Sequence, residues 1–154
     1  MPARPAHAAT AIEVPSTDGR FSIAAHRGHP LVLFFYPKDN TPGCTTENAA
    51  FRDLYAKFRR AGAAIVGVSR DSLASHEKFR AKFELPFALA SDTDEKLCKA
   101  MDVIKLKKLY GRESMGVERS TFLFDANGAL VREWRGVRVP GHVDEVLAAV
   151  QALG

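Results

Sequence analysis

The sequence predicts an α/β fold in which a central mixed sheet is flanked by helices on both faces. Two continuous apolar runs, 31–36 and 63–69, are typical of strands that are covered on both faces. Each is followed by a stretch with apolar residues at helical spacing, and such alternation favours strands joined by crossover helices. The last third adds two strand-like runs, 119–125 and 129–136, and a helical stretch, so the sheet is expected to be mixed.

The N-terminal part predicts a β-hairpin, a strand and a long helix. STDGR (16–20) places an Asp-Gly pair between two short alternating runs, which indicates an N-terminal β-hairpin. After the strand, Thr41 followed by Pro42 is typical of a helix N-cap and the first helical residue. The helix has a one-sided apolar stripe formed by Phe51, Leu54, Tyr55 and Phe58. Gly62 is suited to end it.

The middle of the chain continues the alternation. A helix is expected over 72–83 and a short strand over 87–91. Asp92 and Glu95 have the spacing of a capping box and predict the start of another helix. Its apolar positions are Leu97, Ala100, Met101 and Ile104. The stretch 105–117 is polar and contains glycines, so we expect a loop there.

The C-terminal part predicts a second hairpin and a closing helix. Ala126-Asn127-Gly128 separates the last two strand-like runs. The closing helix is indicated by Val143, Val146, Leu147 and Val150. The order of elements, with ββα after a βαβ unit, is also that of the thioredoxin fold. We expect residues 1–154 to form a single domain of this thioredoxin-like kind, because this length fits one compact core.

Composition places the chain among globular proteins, with 46% hydrophobic and 26% charged residues. No apolar run approaches the ~20 residues that span a bilayer, so no membrane association is expected. The N-terminal stretch lacks the apolar core of a secretory signal, and the two cysteines are too few for a disulfide scaffold. We therefore expect a cytoplasmic protein. The net charge of +4 is mild, and aromatic residues are sparse around the basic stretch 105–112, so no nucleic-acid partner is expected.

Cys44 lies in the first turn of the expected long helix. Unpaired backbone N–H groups and the positive end of the helix dipole lie at this position, and both favour a thiolate over a thiol. The alternative is a small apolar residue that fills the first turn, because free cysteines are often simply buried. Position alone leaves both interpretations open.

The neighbours of Cys44 argue against several kinds of thiol chemistry. Cys44-Thr45-Thr46-Glu47 lacks the Cys-X-X-Cys dithiol of disulfide oxidoreductases. None of the five histidines lies in a recognisable protease signature, and nothing has the ligand spacing of a zinc site. We expect no metal and no cofactor. A lone thiolate with hydroxyl and cationic neighbours suits attack on an electrophilic oxygen.

The stretch from Pro37 to Cys44, PKDNTPGC, matches the Pro-x-x-x-Thr-x-x-Cys signature of peroxiredoxins. The longer form YPKDNTPGCTTE resembles the bacterioferritin-comigratory-protein branch, also called peroxiredoxin Q. The segments SDTDEKLCKAMDV, MGVERSTFLFDANG and WRGVRVPGHVDEVL extend the resemblance over nearly the whole chain. The resemblance implies a thiol-dependent peroxidase that reduces hydrogen peroxide and organic hydroperoxides.

The resemblance also implies roles for individual residues. Cys44 matches the peroxidatic cysteine, which attacks the O–O bond and becomes a sulfenic acid. Thr41 matches the residue whose hydroxyl bonds the peroxide and the thiolate, and Pro42 matches the proline that shields the thiolate from water. Arg119 matches the arginine that holds the thiolate and peroxide oxygens. A guanidinium stays protonated and presents several N–H groups in a fixed fork, which suits this role.

Three further residues are expected to support the pocket. Pro37 shapes the exit from the strand rather than touching substrate. Gly43 lowers the helix propensity of the first turn by ~1 kcal/mol relative to Ala, which makes local opening easier. Glu47 shares a helix face with Cys44. It either orients Arg119 or is simply a favourable acid near the helix dipole.

The chain departs from the family at the resolving cysteine. The two places where relatives of this branch carry it correspond to Ala49 and to the neighbourhood of Arg80. The second thiol is Cys98, on the expected helix after SDTDE. We expect Cys98 to be mainly structural, with a resolving role as the alternative.

A one-cysteine mechanism follows from that departure. Peroxide oxidises Cys44, and an external thiol such as glutathione, glutaredoxin or thioredoxin reduces it. The expected partners are therefore a peroxide and this thiol reductant, and the protein is expected to be a monomer. Two other classes stay open: a peroxide-sensing thiol-switch binding protein, and a thioredoxin-like structural or chaperone domain in which Cys44 is silent.

Overall fold

The computed structural model describes residues 9–153, apart from the side chain of Leu109. The strands are β1 (Val14–Ser16), β2 (Gly19–Phe21), β3 (Leu31–Phe35), β4 (Ala64–Ser69), β5 (Ala88–Ser91), β6 (Ile104–Leu109), β7 (Arg112–Val117), β8 (Ser120–Phe124) and β9 (Leu130–Arg135). The helices are α1 (Pro42–Asp53), α2 (Tyr55–Arg60), α3 (Leu73–Phe83), α4 (Lys96–Ala100) and α5 (His142–Leu153), with a 3₁₀ turn at Ala24–His26.

Seven strands form one mixed sheet in the order β2-β1-β5-β4-β3-β8-β9. The three central strands β3, β4 and β5 are parallel, and all other pairings are antiparallel. The predicted α/β class, the N-terminal hairpin and the hairpin β8–β9 are confirmed. Strand β3 lies between β4 and β8, so all its backbone groups are paired and every one of its side chains is buried.

Alternate residues of β3 point to opposite faces of the sheet, and each face carries its own apolar core. Leu31, Leu33 and Phe35 belong to the first core, which also includes residues of β8 and α4. Val32 and Phe34, with the following Tyr36, belong to the second core, which is covered by α1, α2, α3 and α5. The chain thus has apolar packing on both sides of one sheet, as the continuous apolar run predicted.

The prediction of a single helix between Pro42 and Gly62 is wrong, because the helix is interrupted at one residue. The chain leaves helical geometry at Leu54, whose φ is −102° and ψ is 5°, and resumes as α2. Phe51 of α1 and Phe58 of α2 are both fully buried in the second core. The apolar stripe therefore continues across the break, which is why periodicity alone does not reveal it. Gly62 follows the end of α2 with a φ of +85°, in the region that favours glycine.

The helix predicted from Asp92 to Ile104 is shorter than expected, because α4 has five residues and Ile104 already belongs to β6. The capping-box interpretation is also wrong. Asp92 caps the helix with its carboxylate, which accepts the N–H groups of Leu97 and Cys98. Glu95 instead has a φ of +63° and pairs with Arg70 at 2.7 Å.

The loop predicted over 105–117 is wrong, because these residues form most of the antiparallel hairpin β6–β7. Tyr110 and Gly111 form its turn, with φ values of +53° and +76° that are typical of a two-residue hairpin. Leu106 faces Met115 across the two strands, and each is 55% exposed. The neighbouring residues of β6 are lysines. The composition of the segment is therefore that of a polar loop, although its backbone is paired in a hairpin.

Within residues 9–153, no helix combines the length and the apolar character that a membrane span requires.

Candidate active site

The candidate site lies where the end of β3 meets the start of β8. Phe35, the last residue of β3, pairs with Ser120, the first residue of the antiparallel β8. The chain that leaves β3 leads into α1, and the residue before Ser120 is Arg119. Strand pairing therefore brings Arg119 beside the start of α1, although the two segments are far apart in the sequence.

Helix α1 begins at Pro42, which is the first helical residue as predicted, and Cys44 lies in the first turn. Thr41 takes the N-cap position with φ −100° and ψ 155°, but its side chain makes no capping hydrogen bond. The Thr41 hydroxyl instead donates to the carbonyl oxygen of Lys38 at 2.8 Å. The predicted N-cap position is therefore confirmed, although the hydroxyl bonds the preceding loop rather than the first turn of the helix. The φ of +59° at Asn40 completes that loop.

Three charged or ionisable side chains meet at the helix start. Cys44 is 1% exposed, and Nη2 of Arg119 lies 3.5 Å from its Sγ. Nη1 of Arg119 donates to Oε1 of Glu47 at 2.7 Å. The guanidinium therefore bridges a carboxylate and a sulfur, using two different arms of its fork. Of the two interpretations for Glu47, its short ion pair with Arg119 favours the orienting one.

Burial of the Glu47–Arg119 pair has a large desolvation cost. The Glu47 side chain is fully buried and that of Arg119 is 17% exposed. Desolvation raises the pKa of Glu47 to about 7, and Arg119 partly opposes this. The pKa of Arg119 is raised because Glu47 and Cys44 together outweigh its own desolvation. Oε2 of Glu47 has no hydrogen-bond partner among the described residues, so the carboxylate depends on Arg119 for its stabilisation.

Gly43 lies directly against the guanidinium. A Cβ at this position would lie 3.1 Å from Nη2 of Arg119, which is tighter than an ordinary contact. The absence of a side chain therefore leaves space for Arg119 to approach Cys44. Pro42 is exposed, whereas Pro37 and Thr41 are half-buried. The structure thus brings Thr41, Gly43, Cys44, Glu47 and Arg119 together, and Pro37 precedes them after the end of β3.

Cys98 is separated from this cluster by the sheet. Cys98 packs in the first core and Cys44 in the second, and neither forms a disulfide. Burial and the neighbouring carboxylate of Asp92 strongly raise the pKa of the Cys98 thiol. A thiol in this environment resists ionisation, and thiolate is the reactive form.

Two titratable side chains near Arg119 were not identified from the sequence. Lys107 of the unpredicted hairpin donates to the carbonyl oxygen of Val117 at 2.7 Å, and desolvation followed by Arg119 lowers its pKa. His142, at the start of α5, lies 2.8 Å from the hydroxyl of Thr121, and burial lowers its pKa to about 4. Their positions depend on tertiary packing. Lys107 lies in the hairpin that was not predicted, and His142 lies in the segment WRGVRVPGHVDEVL but was given no role there.

A second polar group lies beneath the loop that precedes Thr41. Asp39, Asp71 and His76 place one ligand-type atom each within 4.8 Å of one another, which is a possible metal-binding arrangement among the described residues. Sequence reasoning missed this group too. A signal existed, since Asp39 lies inside the PKDNTPGC motif and the other two lie in the polar stretch SRDSLASH.

The fold and the site together define a class: a thioredoxin-like α/β protein with a thiol at a helix start and an arginine aimed at its sulfur. The AhpC/TSA family model matches residues 5–133, and the chain belongs to this family. As a peroxiredoxin it is a thiol-dependent peroxidase.

Two curated relatives and one solved structure show how close the similarity is. The peroxiredoxin Bcp of Xanthomonas campestris pv. campestris is 56% identical over 131 residues, which cover 85% of this chain and 82% of that protein. The peroxiredoxin Bcp of Bacillus subtilis is 51% identical over 129 residues, covering 84% and 82%. A structure of Xanthomonas campestris peroxiredoxin Q has a TM-score of 0.90 at 51% identity and covers 95% of this chain and 93% of that one.

Proposed function

We propose that Cys44 is the peroxidatic residue and that it reduces hydrogen peroxide and organic hydroperoxides. The observation that carries this proposal is the 3.5 Å contact between Nη2 of Arg119 and Sγ of Cys44 at the start of α1. A fixed cation at this position stabilises negative charge as that charge moves from sulfur to oxygen during the attack.

The proposed reaction is a two-electron transfer. The Cys44 thiolate attacks one peroxide oxygen, an S–O bond forms and the O–O bond breaks. The departing alkoxide or hydroxide takes a proton and leaves as alcohol or water, while Cys44 becomes a sulfenic acid. In this scheme the Arg119 guanidinium holds the peroxide oxygens, and the Thr41 hydroxyl, which donates to Lys38, accepts a hydrogen bond from the peroxide. Pro42 limits water access, and Glu47 fixes the guanidinium.

Organic hydroperoxides are included because of one relative. A solved structure of the Xanthomonas campestris bacterioferritin comigratory protein, at 50% identity and a TM-score of 0.90, concerns the alkyl peroxide reduction activity of that protein.

The proposed recycling uses an external thiol. The sulfenic acid of Cys44 condenses with one thiol to give a mixed disulfide and water, and a second thiol releases the Cys44 thiolate. The position of Cys98 in the opposite core supports this one-cysteine scheme. Glutathione, glutaredoxin and thioredoxin are the candidate reductants.

The proposed setting is a cytoplasmic, monomeric, single-domain protein. Both cysteines are free thiols, which fits a reducing compartment. Both cores pack on one seven-stranded sheet, which supports a single domain. The oligomeric state is testable by sedimentation of the reduced and the oxidised protein.

The decisive experiment replaces each cysteine separately. We expect Cys44→Ser to lose thiol-dependent peroxide consumption, and Cys98→Ser, the matched control, to keep it. Circular dichroism reports whether both variants fold, and intact mass after one equivalent of peroxide with a thiol trap reports the sulfenic acid. Parental turnover in Cys44→Ser would refute the proposal. Rapid oxidation of Cys44 without sustained turnover would instead indicate a peroxide sensor.

A further inference from the structure

The loop between β3 and α1 is anchored by a buried hydrogen-bonded pair, His76 and Asp39. Nδ1 of His76 lies 2.8 Å from Oδ2 of Asp39, and the two side chains are 0% and 3% exposed. The Asp39 carboxylate also accepts from the Tyr36 hydroxyl at 2.6 Å and from the Ser75 hydroxyl at 2.8 Å. Burial above all, and then Asp39, raises the pKa of Tyr36, so the phenol keeps its proton and stays a donor.

Both ring nitrogens of His76 have a partner. Nε2 lies 3.0 Å from the carbonyl oxygen of Ala90, which only accepts, so Nε2 carries a hydrogen. Nδ1 lies 2.8 Å from Oδ2 of Asp39, so a proton lies between the two side chains. Removing either side chain leaves a buried polar group without its partner, which makes the pair costly to break from one side only.

The pair is attached to the catalytic loop, which is the segment 37–41 between β3 and α1. Asp39 belongs to the segment 37–41, which leads directly to Pro42 and Cys44. Its backbone N–H donates to Oδ2 of Asp71 at 2.9 Å. The Asp71 carbonyl oxygen in turn accepts from the Ser91 hydroxyl at 2.6 Å, which connects the loop to the end of β5. Asp39 is thus held through both its backbone and its side chain.

A metal ion is a weaker explanation of the same group. The ligand atoms of Asp39 and His76 are already used in hydrogen bonds to each other, to Tyr36, to Ser75 and to Ala90. Oδ2 of Asp71 accepts from both the Ser69 hydroxyl and the Asp39 N–H. Both ring nitrogens of His76 are already hydrogen-bonded, so neither is free for a metal. The group therefore fits a structural role in holding the loop better than it fits a metal site.

We propose that His76 is a positioning residue and that the His76–Asp39 pair is a latch for the segment 37–41. This inference rests on the proposed function of Cys44. The closed latch holds Thr41 and the first turn of α1 in the arrangement that reacts with peroxide. Reduction has the opposite requirement, because Cys44 is buried and its sulfenic acid must emerge to meet an external thiol. Weakening the latch therefore slows oxidation and speeds reduction.

Two substitutions at one position test this directly. Asparagine carries its amide nitrogen close to the position of His76 Nδ1, so His76→Asn keeps a donor to Asp39. Glutamine carries it closer to Nε2, so His76→Gln loses the bond to Asp39. Glu77→Gln, at an exposed position of the same helix, is the matched control. Ser75→Ala removes a single hydroxyl bond to Asp39 and serves if His76→Gln does not fold.

Each half-reaction is measured separately. Quenched-flow mass spectrometry with hydrogen peroxide gives the rate of Cys44 oxidation. Thionitrobenzoate, added to the oxidised protein, gives the rate at which the sulfenic acid forms a mixed disulfide with release of hydroxide. We expect His76→Gln to oxidise about tenfold to a hundredfold more slowly, the scale of a misplaced reacting group. We expect it to react faster than the parent with thionitrobenzoate, and His76→Asn and Glu77→Gln to lie close to the parent.

The latch predicts slower oxidation and faster reduction in His76→Gln, with both rates of His76→Asn close to the parent. General destabilisation would not change the two rates of His76→Gln in opposite directions and leave His76→Asn unaffected. Parental oxidation in His76→Gln, or an equal loss in His76→Asn, overturns the latch. In Ser75→Ala, slightly slower oxidation together with slightly faster reduction supports the latch, and unchanged rates overturn it. Failure of the parent protein to oxidise at Cys44 overturns the proposed function as well, so the two failures are distinguishable.

Discussion

At the scale of single residues, Arg119 has two partners that impose different demands. Glu47 holds one arm of the guanidinium at 2.7 Å, while the other arm lies 3.5 Å from the Cys44 sulfur. Gly43 provides the space for this approach. A planar fork meets these demands together, whereas an ammonium group is a single point charge on a flexible stem.

We therefore predict that Arg119→Lys reacts with peroxide about 10²-fold more slowly, the usual cost of losing one preorganised donor. Arg119→Ala is expected to be slower still, because it removes the charge as well. Both rates are measured at a pH where Cys44 is fully ionised, so that loss of thiolate does not contribute. Arg112→Lys, an exposed site on β7, is the control. A parental rate in Arg119→Ala would exclude the role as an electrostatic clamp.

Glu47 predicts a dependence of stability on pH. Its pKa in the folded protein is raised from 4.5 to about 7, chiefly by desolvation. Between those values the folded state holds a proton that the unfolded state lacks, so the free energy of unfolding falls as pH rises. Glu47→Gln has no titrating carboxyl group at this position, so its free energy of unfolding does not fall in this way. Relative to the parent, the variant should gain up to about 3 kcal/mol between pH 4.5 and 8.

Urea unfolding at several pH values measures this difference. Glu77→Gln, which removes an exposed carboxylate, should follow the parent at every pH. Parallel curves for the parent and Glu47→Gln would show that the buried carboxylate does not titrate in this window. The Glu47→Gln variant should also react more slowly with peroxide, because Arg119 loses its charged partner.

At the scale of elements, α1 has to serve two states. Its first turn holds Cys44 in the second core, and its later turns pack Phe51 against the sheet. Gly43 lies in the first turn and weakens the helix propensity there by ~1 kcal/mol relative to Ala, and the later turns contain no glycine. Opening is therefore expected to stop before Phe51, because burying that ring stabilises the rest of the helix.

We predict that oxidation speeds amide hydrogen exchange at residues 41–47 and leaves α5 unchanged. The sulfenic acid of buried Cys44 becomes reachable by an external thiol only when this turn opens. Mass spectrometry of peptides from the reduced and the oxidised protein compares the two states. Equal protection over 41–47 in both states would mean that the reductant reaches Cys44 without any opening.

At the scale of the whole molecule, the sheet divides the two thiols. Cys44 and Cys98 belong to cores on opposite faces, with the buried strand β3 between those cores. A disulfide requires Cα atoms within about 7 Å, which two residues on opposite faces do not reach without unfolding. Cys98 is also fully buried against the capping carboxylate of Asp92. Its surroundings are those of a packing residue.

We predict that Cys98→Ser keeps its peroxidase activity with a small thiol and loses stability. The cost should be about 1 kcal/mol, because the serine hydroxyl is desolvated but the neighbouring Asp92 carboxylate accepts a hydrogen bond from it. Over-oxidation of Cys44 to the sulfinic acid should be no greater than in the parent. Cys98→Ala provides the comparison without a hydroxyl. An intramolecular Cys44–Cys98 disulfide in the oxidised parent, seen by intact mass, would refute the one-cysteine scheme.

The sequence alone determined the features that depend on neighbours along the chain. The apolar run at 31–36 predicted a strand buried on both faces, and Thr41-Pro42 predicted where α1 begins, so Cys44 was placed in its first turn. The motif around Cys44 led to the peroxiredoxin family, which the comparisons confirm. These signals are local because caps, turns and periodicity act over a few residues.

Tertiary structure decided everything that depends on strand order and register. Pairing of Phe35 with Ser120 brings Arg119 to Cys44, and the alternation along β3 separates Cys44 from Cys98. The hairpin β6–β7 escaped prediction because its stability lies in cross-strand pairing, which composition does not record. The contact of His76 with Asp39 arises because α3 packs beneath the catalytic loop. Residues distant in sequence acquire such contacts only when the sheet assembles.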